Sequence, residues 1–334
     1  MPTTVNAAFT KFLRETVNLD PEVTKIARAS RDWLIFQIHA LENKVDYFPL
    51  LYKEKDIAFG SFARHTKIRE LDDIDIMICL NAQGATYFEY TDHIEITVPT
   101  SSYPLHRYCH NGTDILNSRM IINKFVSALS EVPHYEKAEI KRTMEAATLK
   151  LASYTWNFDI VPCFFTKPDI DGRTFYIIPD GKGHWKKTDP RKDKEIVTLV
   201  NQAHKGNILN PIRLLKFWNK RPTAPSIPSY LLETIIIIYY IRNHSNTASQ
   251  YVDLEIPRLF KHVANSVLGV VPDLKEIQGD LNNLSFEDRL KIHQRANTDY
   301  ARALEARQAE NDGDHKTSIQ KWGEIFGPLF PAYG

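Results

Sequence analysis

The sequence predicts an α+β protein in two parts: an N-terminal part built on a mixed β-sheet with flanking helices, and a helical C-terminal lobe. Three observations carry this. The stretches 73–80 and 153–165 hold short segments that alternate with the period of two typical of strands. The stretch 21–45 and most of the chain beyond residue 195 repeat apolar residues at helical spacing instead. With 334 residues, 43% of them hydrophobic, the chain can fill the cores of two such parts.

In order along the chain, Val23, Ile26, Ala27, Trp33, Leu34, Ile38 and Leu41 mark a long amphipathic helix over 21–45, with Asp20 as its cap. Residues 56–59 read as a short strand ending at Gly60-Ser61, followed by a basic loop (Arg64, His65, Lys67, Arg69) and a strand over 73–80. The polar stretch 81–104 is irregular except for 93–98, which alternates as a strand. A helix over 113–130 and a strand within 153–165 follow, the latter carrying Phe158-Asp159-Ile160-Val161-Pro162. Gly, Pro and charge make 168–194 a hairpin and loop. Helices are expected over 208–219, 230–242, 256–268 and 286–310, and there is no repeat of fixed period. The expected domains are therefore 1–195, the core with its long N-terminal helix, and 196–334, the helical lobe.

Charge and cysteine content narrow the function. A net charge of +1 argues against a protein that coats nucleic acid, so no stable nucleic-acid partner is expected. Cys79, Cys109 and Cys163 form no Cys-x-x-Cys pair, so neither a disulfide framework nor a four-cysteine zinc site is indicated. His106, Cys109 and His110 are a weak zinc pattern, lacking a second ligand pair. The first 14 residues hold no apolar run of signal-peptide length, and a cytoplasmic location is expected. The aliphatic stretch 235–241 falls far short of the roughly 18 residues of a membrane span and reads as a buried helix.

The most informative residues are Asp73 and Asp75. Two apart on a strand, they share one face while Ile74, Ile76 and Ile78 fill the other, and the same alternation excludes Asp72. Adjacent carboxylates repel, and a divalent cation resolves the repulsion; hard oxygen ligands suit Mg²⁺ or Mn²⁺. Gly60-Ser61 precedes Asp73 by eleven intervening residues, and Asp159 supplies a third carboxylate in strand context. Nucleotidyl transfer needs these parts: a tight turn that lets phosphate approach, two carboxylates bridging two cations, and a third completing the site.

This arrangement resembles the DNA polymerase β-like nucleotidyltransferase superfamily. Gly60-Ser61-Phe62-Ala63-Arg64-His65-Thr66-Lys67-Ile68-Arg69 followed by Asp72-Asp73-Ile74-Asp75 resembles the bacterial cGAS/DncV-like nucleotidyltransferases, signal synthases of CBASS anti-phage operons, whose usual glycine after the arginine is His65 here. Phe-Asp-Ile-Val-Pro at Asp159, Ile178-Pro179-Asp180-Gly181, Leu214-Leu215-Lys216-Phe217-Trp218-Asn219, Ser229-Tyr230-Leu231-Leu232-Glu233 and Trp322-Gly323-Glu324-Ile325-Phe326-Gly327-Pro328 extend the likeness over most of the chain. The resemblance implies a bilobed polymerase β-like fold closing on a nucleotide cleft, and template-independent synthesis of a cyclic oligonucleotide, with a dinucleotide ring favoured. It implies that Asp73 and Asp75 hold two Mg²⁺ ions, with Mn²⁺ as a substitute, and that Asp159 completes the metal nearest the attacking hydroxyl. Gly60, Ser61 and Arg64 would meet phosphate, Lys216 and Ser229 the triphosphate, and Tyr230 would stack on a base. The implied partners are NTPs, purines favoured, and a CBASS accessory protein acting on Gly334; the expected state is a monomer with no membrane association.

Plainer readings stand beside these. Asp72 to Asp75 alone would suit an acidic turn, Lys216 a snorkelling surface lysine, Ser229 an N-cap and Tyr230 core packing. Competing functions are transfer to an RNA 3′ end or a small-molecule hydroxyl, and a catalytically silent nucleotide or RNA sensor of the same fold.

Overall fold

The computed structural model describes residues 1–334. The chain runs α1 (Val5–Phe12), α2 (Pro21–Lys44), β1 (Ile57–Phe59), α3 (Gly60–Ala63), β2 (Asp73–Cys79), β3 (Thr86–Glu89), β4 (Ile94–Thr97), α4 (Ser118–Ser130), β5 (Glu139–Thr143), β6 (Ala146–Lys150), β7 (Asn157–Phe165), β8 (Tyr176–Pro179) and β9 (Trp185–Thr188). It continues with α5 (Pro190–Ala203), α6 (Leu209–Asn219), α7 (Ser229–Arg242), α8 (Val252–Ser266), α9 (Phe286–Asn311) and α10 (His315–Phe326). Contacts divide these elements into two compact units.

The sheet unit holds residues 21–63 and 70–191. Its strands lie in the order β1-β2-β7-β8-β9-β4-β3, with β6 also pairing β7 and β5 pairing β6. Only β2 and β7 run parallel among these neighbours. β7 is nine residues long because it serves two neighbourhoods: its first part pairs with β2 and β6, and Phe164 and Phe165 pair with β8. On α2, Ala27, Leu34, Ile38 and Leu41 are buried as the periodicity predicts, whereas Ile26 and Trp33 are exposed.

Several elements depart from the sequence expectation. β3 was not foreseen, since all four of its residues are exposed and no buried face leaves an alternating signature. The charged β5 escaped for a similar reason, and β6, buried at four of its five residues, because a run buried without alternation leaves no period of two. α4 begins at Ser118 rather than 113 because Ile115 and Leu116 form bridges to Thr97 and Cys109, and the Asn117 side chain then accepts from the amides of Arg119 and Met120.

The helical unit holds residues 1–20, 64–69 and 192–334. Its core runs through α6, α7, α8, α9 and α10, and takes in α1. In α7, Ile235 to Ile238 are all buried, as a helix apolar on every side requires. α1 is capped by Thr4, whose Oγ1 accepts from the Ala7 amide at 3.2 Å. It sends Phe9 into edge contacts with Trp322, Phe326 and Phe330 at 5.0–5.9 Å between ring centroids. No helix is long and apolar enough to cross a membrane.

Candidate active site

In the sheet unit, β2 and β7 lie side by side in parallel with Asp75 opposite Asp159 and Asp73 opposite Asn157. Burial alternates along both strand starts: Asp73, Asp75, Asn157 and Asp159 are half-buried, while Ile74, Ile76, Phe158 and Ile160 are buried. The three carboxylates therefore share one face of two adjacent strands. Farther along, the same face turns apolar through Met77, Cys79, Val161 and Cys163.

Two further contacts fix the carboxylates. Thr148, opposite Asp159 on β6, donates its hydroxyl to Asp159 Oδ1 at 2.7 Å. Gly60, where β1 ends and the α3 turn begins, has φ +71°, and a Cβ there would fall 1.8 Å from Asp75 Oδ2. Only glycine lets the backbone pass that close to the carboxylate, and only glycine takes that φ without strain. Ser61 follows, half-buried in the same turn. An all-oxygen donor set on one face, with the backbone pressed against it, fits a hard divalent cation.

In the helical unit the remaining candidates gather around Glu233. Its Oε1 accepts from Arg64 Nε at 2.6 Å, and its Oε2 from Thr66 Oγ1 at 2.7 Å and Lys216 Nζ at 3.3 Å. Lys216 is 7% exposed, so it is not a snorkelling surface lysine. Burial alone would raise the Glu233 carboxyl, but Arg64 and Lys216 outweigh it and hold the group below its ordinary value. Burial lowers the Lys216 ammonium, with Glu233 opposing. His65 takes φ +61°, the left-handed region that favours glycine, and its carbonyl accepts from Arg213 Nη2 at 2.7 Å.

Ser229 is the first residue of α7; Pro228 holds the cap position, and no side chain caps the helix. Tyr230 is half-buried, with its hydroxyl 2.7 Å from Asp193 Oδ1 and 2.5 Å from Lys275 Nζ. Lys275 Nζ lies 4.2 Å from its ring centroid and the Arg64 guanidinium 5.7 Å. Sequence reasoning missed Thr148 and Glu233. Nothing local marks Thr148, but Glu233 is visible as the one acid within the apolar run from Leu231 to Ile238.

The whole chain aligns at 43% identity, over 335 positions and 99% of the other protein, with a probable cyclic nucleotide synthase of Bacillus cereus strain VD146. The chain belongs to the cGAS/DncV-like nucleotidyltransferases. Solved structures carry the same fold in this nucleotidyltransferase family. CdnC of Escherichia coli MS115-1, solved with ATP, superposes with a TM-score of 0.69 at 16% identity, covering 98% of this chain and 99% of that one. The Vibrio cholerae DncV cyclic AMP-GMP synthase gives a TM-score of 0.67 at 11% identity, covering 97% and 96%. No protein-family profile matches the chain.

Proposed function

We propose that this nucleotidyltransferase joins NTPs into a cyclic oligonucleotide, a purine dinucleotide ring by preference, as a second messenger in anti-phage defence. The observation that carries the reading is the registered carboxylate face of β2 and β7, in a chain that matches a probable cyclic nucleotide synthase end to end. Asp73, Asp75 and Asp159 are the residues that would hold two Mg²⁺ ions. When bound, such ions neutralise triphosphate charge and lower the pKa of a coordinated hydroxyl.

The chain's own residues do the rest by positioning and charge. Thr148 fixes Asp159 through the 2.7 Å bond, so this carboxylate keeps one orientation beside the attacking ribose hydroxyl. Gly60 and Ser61 bring backbone and hydroxyl toward phosphate, with no Cβ at Gly60 to displace Asp75. Arg64, Lys216 and Ser229 are assigned to the triphosphate and Tyr230 to a base. Glu233 sets the orientation of Arg64 and Lys216 as a positioning residue. Two successive attacks, each expelling pyrophosphate, first link two nucleotides and then close the ring. The enzyme acts as a monomer, and Gly334 is the point at which a CBASS accessory protein would conjugate the chain.

The test is incubation with the four NTPs and Mg²⁺ or Mn²⁺, phosphatase treatment, and mass identification of resistant product. A cyclic product absent from Asp75→Asn supports the reading. Extension of an added RNA 3′ end, with no cyclic product, would assign the chemistry to another acceptor.

A further inference from the structure

A second group of metal-ligating side chains sits on the sheet unit, built from other residues than the aspartates. Ile94 on β4 pairs with Trp185 on β9, and both point inward, 2% and 0% exposed. Strand alternation then sends their neighbours His93, Glu95 and His184 to the opposite face. One ligand atom from each of the three lies within 4.8 Å of the others. His93 Nε2 and Glu95 Oε1 are already 3.7 Å apart, against the about 3.4 Å that two ligands span on a tetrahedral zinc.

Each side chain is also held in the manner of a ligand. His93 Nδ1 bonds Asp92 Oδ1 at 2.8 Å, which fixes the ring and turns Nε2 toward Glu95. A carboxylate behind a histidine is the usual outer support of a metal-bound imidazole. Tyr90 stacks on the His93 ring, 4.7 Å between centroids and 10° between planes, and donates its hydroxyl to Glu95 Oε2 at 3.4 Å. The rings of His93 and His184 are 4.4 Å apart, and His184 Nδ1 is buried with no hydrogen-bond partner. An orphaned buried nitrogen costs free energy unless something binds it.

We propose that His93, Glu95 and His184 form a Zn²⁺ site, supported by Asp92, that ties the β3–β4 turn to the start of β9. Two imidazoles and one carboxylate suit zinc rather than the Mg²⁺ expected at an all-carboxylate site, and leave a fourth position for water. The site stands whether or not the aspartate face is catalytic.

The experiment uses the full chain carrying Asp73→Asn and Asp75→Asn, so that the other candidate divalent site does not contribute. After chelator treatment, calorimetric titration with Zn²⁺ should show one equivalent bound, Co²⁺ should give the visible bands of a low-coordinate site, and Zn²⁺ should raise the Tm. In the same background His184→Ala should abolish all three signals. Glu95→Gln and Asp92→Asn, both at partly or largely exposed side chains and so safe for the fold, should each weaken Zn²⁺ by about 10- to 100-fold. Absence of stoichiometric Zn²⁺, or titration unchanged in Glu95→Gln and Asp92→Asn, overturns the proposal and leaves these groups as an ordinary ion-pair cluster.

Discussion

Gly60 and Thr148 are the residues through which the carboxylate face is most open to test. Alanine at Gly60 faces both the +71° φ and a contact 1.8 Å from Asp75 Oδ2, so the carboxylate or the turn must move. Gly60→Ala should cost about 1–3 kcal/mol of stability by melting. It should also lower the rate of pyrophosphate release by about 10²-fold, the scale of a 1 Å misplacement. Unchanged turnover would remove the Gly60–Asp75 contact from the site. Thr148→Val keeps the shape but deletes the donor to Asp159 Oδ1; the half-maximal metal concentration should rise by about 10-fold, and Thr148→Ser should restore it. The shared face of Asp73 and Asp75 was legible in the sequence because a period of two is a local property, whereas the register with Asp159 and the Thr148 pairing join strands that no local pattern connects. His65 shows the opposite limit: the sequence lacks glycine there, yet the chain keeps a left-handed turn, with Arg213 on the His65 carbonyl.

Helix α7 delivers Glu233 into a buried set of cations, and its removal should be felt as an element-level loss. Glu233→Gln leaves Arg64 and Lys216 without their counter-charge and should cost about 3–5 kcal/mol in urea unfolding at pH 7. The pH dependence has a defined sign. The folded-state pKa lies below the ordinary 4.5, so the carboxylate's stabilisation is present above that value and lost as pH falls through it toward the folded pKa. The gap between wild type and Glu233→Gln should therefore narrow on acidification below pH 4.5; a gap independent of pH would contradict the assignment. At the other end of the chain, Phe9 is 2% exposed against Trp322, Phe326 and Phe330, and Phe9→Ala should cost about 3–5 kcal/mol by the same measurement. The long helices α2 and α9 could be read from periodicity alone, and α7 from its continuous apolar run. α1 and α10 were missed, because their apolar faces acquire meaning only when they meet.

For the whole molecule, 43% identity over the full length to a probable cyclic nucleotide synthase and the fold shared with CdnC and DncV agree with the motif that led there from Asp73 and Asp75. Sequence reasoning reached the family through residues close together in the chain, Gly60 to Asp75, and through Asp159, whose strand context is itself local. It missed strands that lack an alternating face, the exposed edge β3 and the β5–β6 hairpin behind Asp159, and it missed the His93, Glu95 and His184 group, which the Ile94–Trp185 bridge assembles from distant parts of the chain. Product identity tests the central claim most directly. With NTPs and Mg²⁺ or Mn²⁺, mass spectrometry after phosphatase treatment should reveal a cyclic nucleotide made by the wild type and absent from Asp73→Asn and Asp75→Asn of unchanged Tm. The same product formed at wild-type rate by those two variants would contradict the account.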